Sequence, residues 1–181
     1  MPDNSTDYDA LDDLSADDDD PDTHQGLVWN LLLLINPGDE ETALRQFDAY
    51  RQSAGETEGQ TESAQWLCAL KDAIDWSSGF YVEGHDSQTL ISAIDELAAR
   101  WNVRIDWGGD IDDDDFLAAN DSAALLTVAY DRLREYGYTL WCWDTGNDDR
   151  AGWMALSRND EDMQRLAAIL DVDLRPGSDP F

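Results

Sequence analysis

Cations are scarce in this chain. Of 181 residues only 11 are Lys or Arg, and Lys71 is the single lysine. Recognition of a nucleic-acid backbone rests on Lys and Arg, so direct nucleic-acid binding is excluded as an expectation. Binding to an anionic membrane surface is excluded on the same ground. Histidine is nearly absent, with only His24 and His85. A His-centred triad or a His-rich metal site therefore has almost no material. Two cysteines, Cys68 and Cys142, lie far apart and form no C-x-x-C pair. They read as reduced thiols in a cytoplasmic protein rather than as a disulfide framework. The longest apolar run is Leu31 to Ile35, far short of the roughly 20 residues of a membrane span. The first residues show no basic region followed by an apolar stretch, so no secretory signal is expected. G-x-S-x-G, G-x-x-x-x-G-K-[ST] and H-E-x-x-H are all missing.

Carboxylates are abundant. The 41 Asp and Glu set a formal net charge of −30, and Asp outnumbers Glu by 32 to 9. Hydrophobic content of 42% with 10% aromatics is enough for a packed core. The charge is unevenly placed. Residues 1–25 hold ten Asp, including Asp17-Asp18-Asp19-Asp20, and no Lys, Arg or Glu. Like-charge repulsion with little apolar content predicts a disordered tail there and one globular domain over residues 26–181. His24 falls at the end of that tail. The body still carries −20.

Periodicity predicts N-terminal helices. Gly26 to Ile35 is apolar nearly all round, and Asn36-Pro37-Gly38 ends it. Asp39-Glu40-Glu41 opens a second helix whose Leu44, Phe47 and Tyr50 recur every three residues. A third runs from Glu62 to Asp75 with Trp66, Leu67, Leu70 and Ile74 on one face. Then the pattern changes. Phe80 to Glu83, Val103 to Trp107, Tyr138 to Trp143, Trp153 to Leu156 and Val172 to Leu174 read as strands. Between them come a helix capped by Asp86, one starting near Asn120 and one over 160–170. The predicted class is α/β or α+β: N-terminal helices, then a mixed sheet of about five strands with helices packed on it. From Val103 the order β-α-β-β-α-β is that of ferredoxin-like folds.

Several segments are distinctive: Trp29 to Glu40, Arg104 to Gly109, Tyr138 to Gly146 and Ala151-Gly152-Trp153. Together they resemble the bacterial family catalogued as domain of unknown function 6630, over most of residues 26–181. The resemblance implies a bacterial cytosolic protein and supplies no catalytic residues.

Three constellations remain. Asp110, Asp112, Asp114 and Asp121 approach the acidic spacing of a calcium loop, but Asp115 stands where that loop requires Gly. The turn residues Asp144, Asp148 and Asp149 form a second acidic group. Were the two to meet, they would suit Mg²⁺ or Ca²⁺ for phosphoryl chemistry; each alone reads as a solvated loop. Asp144-Thr145-Gly146 also matches the aspartic-protease triplet, against which stand the helix-rich setting and a hairpin-turn reading. Finally, Trp107, Trp141, Trp143 and Trp153 offer either a stacking platform or core packing.

With acid–base and nucleophile motifs missing, the sequence favours a non-enzymatic interaction protein of inhibitor, immunity or regulatory type. Its acidic surface would bind a basic protein partner and need no cofactor. The alternative is a carboxylate- and divalent-metal-dependent enzyme acting on a phosphate or sugar.

Overall fold

The computed structural model describes residues 24–55, 63–74 and 76–181. The expected acidic tail lies outside them, except for its last two positions. His24 belongs instead to the first helix, where its ring meets Trp66 edge-on at 5.1 Å.

Three helices come first: α1 (His24–Ile35), α2 (Glu40–Gly55) and α3 (Ser63–Ile74). Strand β1 (Gly79–Val82) follows, then α4 (Ser87–Ala99), α5 (Asp114–Ala119) and α6 (Ser122–Glu135). The hairpin β2 (Tyr138–Trp143) and β3 (Arg150–Leu156) leads through a 3₁₀ turn to α7 (Asp160–Ile169) and β4 (Leu174–Pro176). The strands form one sheet in the order β1-β3-β2-β4.

Every pairing in the sheet is antiparallel, which places the fold in the α+β class. Strands β3 and β4 do run the same way, but β2 lies between them. No two neighbouring strands are therefore parallel, and the sheet is antiparallel rather than mixed. The sheet has four strands rather than five because Val103 to Trp107 has no ladder partner. Val103, Ile105 and Trp107 are buried and Arg104 and Asp106 exposed, so the period of two is real. It reflects an extended segment laid on the core, with the Asp106 carbonyl accepting from Arg132 Nε at 3.4 Å. The ferredoxin-like order is lost with it.

Alternation along the strands sorts their side chains to two faces. Phe80, Val82, Leu140, Cys142 and Met154 join α4 and α6 on one side. Trp141, Trp143, Ala151, Trp153 and Ala155 join α1, α3 and α7 on the other. Helices thus cover both faces, which explains why β2 and β3 read as nearly continuous apolar runs. Gly152 is required where the hairpin crosses this packing. A Cβ there would overlap the Trp141 carbonyl oxygen and lie 2.9 Å from the Phe80 ring.

Helix boundaries follow the side chains. Asp86 caps α4 by accepting from the Thr89 amide at 3.0 Å, and Asp121 caps α6 through the Ala124 amide at 2.8 Å. Gly137, at φ +81°, ends the α6 turn in the left-handed region. On α2 the inward positions are Ala43, Gln46 and Tyr50, whereas Leu44 is 54% exposed.

Candidate functional site

The eleven residues singled out by sequence are not gathered in one place. Trp141, Trp143 and Trp153 lie on the α1/α3/α7 side of the sheet, with Trp141 directly opposite Trp153 in register. Trp107 is on the other side, its indole donating to Asp95 Oδ1 at 3.0 Å. All four rings are buried. None presents a face to solvent for stacking on a sugar or base, and their shared role is core packing.

The acidic residues are exposed and serve their own backbone. Asp110 Oδ1 accepts from the Asp112 amide at 3.1 Å, and Asp113 caps the short helix that begins at Asp114. Asp121 is committed to α6. A calcium loop does not form, because its four candidates are divided among a turn, a helix and a cap. Asp144 Oδ1 accepts from the Gly146 amide at 2.8 Å, and Gly146 adopts φ +74°. The protease-like triplet is thus the β2–β3 turn. No group of three or more Asp, Glu, His or Cys among the described residues is placed to hold a metal ion.

Asp149 differs from its neighbours. Its carboxylate accepts from the Tyr81 hydroxyl at 2.5 Å and from the Gly84 amide at 2.8 Å, tying the hairpin turn to the end of β1. Asn147 donates to it at 2.9 Å. The Tyr81 bond, followed by the Gly84 amide, holds the Asp149 carboxyl below the usual carboxylate range. The same bond pushes the Tyr81 phenol up, so Tyr81 stays a neutral donor. Neither group is set up as a general base: the phenol keeps its proton, and the lowered carboxyl is a weak base whose oxygens already accept hydrogen bonds.

Tyr81 also faces an open groove of about 480 Å³. Its walls include Lys71 from α3, Trp76 from the turn after α3, Glu83 and Asp86 from the loop after β1, and Thr89 from α4. Lys71 Nζ sits 4.5 Å above the Tyr81 ring and 3.4 Å from Asp72. Trp76 is 38% exposed. Sequence reasoning passed over this site because its members come from four separate segments. The one available signal was that Lys71 is the lone lysine.

A second polar cluster is buried. Asn36, Gln46 and Ser78 hydrogen-bond one another at 2.6 to 2.8 Å. Arg100 reaches in from the end of α4 to Ser78 Oγ at 2.7 Å and pairs with Asp39 at 2.7 Å. The Arg100 guanidinium, then the Thr42 amide, hold the Asp39 carboxyl down to about 2. This cluster joins α1, α2, the α3–β1 turn and α4, and its groups are occupied by one another. Its chemistry is cohesion.

Cys142 is buried, and burial pushes its thiol up to about 12; Cys68 is exposed, and both are free. No helix among the described residues is long and apolar enough to cross a membrane. No curated protein and no solved structure matches the chain. The family described as Domain of unknown function (DUF6630) does match, over residues 27–177, and the chain belongs to that family.

Proposed function

We propose that this chain is a non-enzymatic interaction module of inhibitor, immunity or regulatory type, working in the bacterial cytoplasm and binding a basic protein partner. The observation that carries the reading is where the carboxylates sit. Asp110, Asp112, Asp144 and Asp148 are exposed on loops and Asp114 at the start of α5, and they are not gathered around a reaction centre. With −20 on residues 26–181, such loops attract and orient a cationic surface. Four titratable groups with altered environments, Asp39, Tyr81, Asp149 and Cys142, are hydrogen-bonded or buried in ways that quench reactivity.

The test is capture of a basic partner by the full chain and by loop variants. Asp110, Asp112, Asp114, Asp144 and Asp148 are each changed to Asn, which keeps the turn geometry and removes the charge. Capture should weaken in the variants and in high salt. Capture unchanged by the variants sinks the proposal. Stoichiometric binding of Mg²⁺ or Ca²⁺ by calorimetry would overturn it in favour of a metal-dependent enzyme.

A further inference from the structure

We propose that the groove beside β1 seats a cationic side chain, arginine or lysine, of the basic partner; this rests on the interaction reading above and gives it a location. The groove has the dimensions for such a guest. Its volume of about 480 Å³ falls within the roughly 300–1,000 Å³ of small-ligand sites. Its walls have the chemistry as well. Trp76 and Tyr81 line it with aromatic side chains, and Glu83 and Asp86 supply carboxylates. Asp86 already accepts from the Thr89 amide and hydroxyl, yet a carboxylate has lone pairs for more.

The molecule demonstrates the interaction on itself. The Lys71 ammonium lies 4.5 Å above the Tyr81 ring. The Tyr81 hydroxyl donates a hydrogen bond to Asp149, which leaves the ring richer in electrons and a better host for a cation. An anionic guest would meet two carboxylates, Glu83 and Asp86, against one ammonium. A cationic guest meets the reverse balance.

Trp76 adds an independent argument. Among the described residues three non-glycines hold a positive φ: Trp76 at 57°, Asn102 at 58° and Asp171 at 57°. Asn and Asp tolerate the left-handed region, whereas a bulky indole there is an outlier. The turn itself asks only for that backbone shape, since the Ser77 and Ser78 amides both donate to the Ile74 carbonyl. Glycine would close it without steric cost. Tryptophan at this position sets an exposed indole in the wall of the groove.

The experiment is an NMR titration of the full chain, following its eight indole N–H signals and the Gly84 and Thr89 amides. The probe is a short acetylated peptide carrying two arginines. Controls are the same peptide with two glutamates, and a neutral disaccharide. The Trp76 indole and the two amides should move and saturate with the arginine peptide alone. Trp76→Gly should fold and melt close to the parent and bind about two- to fivefold more weakly by the amide signals, the size of one exposed cation–π contact. Asp86→Asn, which keeps the cap, and Glu83→Gln should each weaken binding as well. If the arginine peptide shifts other acidic regions and leaves Trp76, Gly84 and Thr89 unmoved, the groove is refuted while the basic-partner reading survives. If it shifts nothing even at low salt, both fall. An equal response to the glutamate peptide or the disaccharide overturns the cationic guest.

Discussion

Ser78→Ala removes one oxygen from the centre of the buried polar cluster, and the structure sets the size of the loss. Ser78 Oγ donates to Asn36 Oδ1 at 2.6 Å and accepts from Gln46 Nε2 at 2.8 Å and Arg100 Nη1 at 2.7 Å. The two donors have second partners: Gln46 Nε2 also reaches Ser77 Oγ at 2.9 Å, and Arg100 Nη1 reaches the Ser77 carbonyl at 3.1 Å. Asn36 Oδ1 loses its side-chain donor within a site 1% exposed. A typical hydrogen bond contributes about 0.5–1.5 kcal/mol net, and stranding a buried acceptor costs about 1–3 kcal/mol. Because two of the three partners keep a bond, the expected loss is about 2–4 kcal/mol. Urea unfolding reads it directly. With a slope of about 2 kcal/mol/M, the midpoint should fall by roughly 1–2 M at unchanged slope. Ser77→Ala is the control, since its hydroxyl is exposed and accepts from Gln46 alone, donating only weakly to the Ile74 carbonyl at 3.4 Å. It should cost under about 1 kcal/mol. Equal losses for the two variants, or a Ser78→Ala loss below about 1 kcal/mol, would refute the view that this cluster clamps the N-terminal helices to α4.

The Arg100–Asp39 pair makes stability depend on acid. Its folded carboxyl lies at about 2, below the usual value of 3.8, so the unfolded chain takes the proton first; the contribution is present above pH 4 and is lost as pH falls toward 2. Asp39→Asn should flatten the urea midpoint across that window, and an unaltered pH profile would show that the pair contributes nothing. A thiol reagent should label Cys68 rapidly in the native chain and reach Cys142 only on unfolding, because the latter is buried with its thiol at about 12. Two native thiols reacting at one rate would contradict the packing of β2. Gly152→Ala drives a methyl into the Trp141 carbonyl on the neighbouring strand and should cost about 3 kcal/mol. At roughly 2–4 °C per kcal/mol the melting point should drop by about 6–12 °C, and a drop under about 2 °C would mean the hairpin yields more easily than its register implies.

Much of the architecture was legible because strong local rules agreed. Tyr138 to Trp143 is apolar but for Thr139, as a strand covered on both faces should be, and it is β2 to the residue. Asp86 stands where an N-cap should stand. The misreadings share a cause. Leu44, Phe47 and Tyr50 look like the inner stripe of α2, but the buried positions are Ala43, Gln46 and Tyr50. The stripe is displaced because Gln46 turns inward to the Asn36 and Ser78 hydrogen bonds, which hydropathy does not register. The helix over Asp114 to Ala119 escaped notice because it buries no residue and so leaves no periodic trace. The groove was out of reach for another reason. Lys71, Trp76, Glu83 and Thr89 meet only once α3, β1 and α4 have packed together, and no periodicity along the chain encodes that meeting.

The excess of Asp over Glu has a local explanation that bears on the acidic surface. Asp39, Asp86, Asp113 and Asp121 accept from amides two or three residues on at helix starts. Asp106, Asp110 and Asp144 do the same two residues on, within turns. The short Asp side chain reaches these amides, whereas the extra methylene of Glu moves the carboxylate out of register. Part of the negative charge therefore accompanies backbone chemistry and was not placed for attraction alone. The two contributions separate at Asp121, an exposed cap on the helix that packs against β2. Asp121→Asn keeps the acceptor and removes the charge, so stability should change by no more than a few tenths of a kcal/mol. Asp121→Ala removes both and should cost about 1 kcal/mol in urea unfolding. If the Asn variant loses as much as the Ala variant, attraction of the carboxylate to the helix N-terminus, and not the hydrogen bond, holds the cap. Asn replacements would then perturb the fold as well as the surface. If the Asn variant is near neutral, Asn replacements at these turns remove charge from an intact fold, and any binding they abolish was electrostatic.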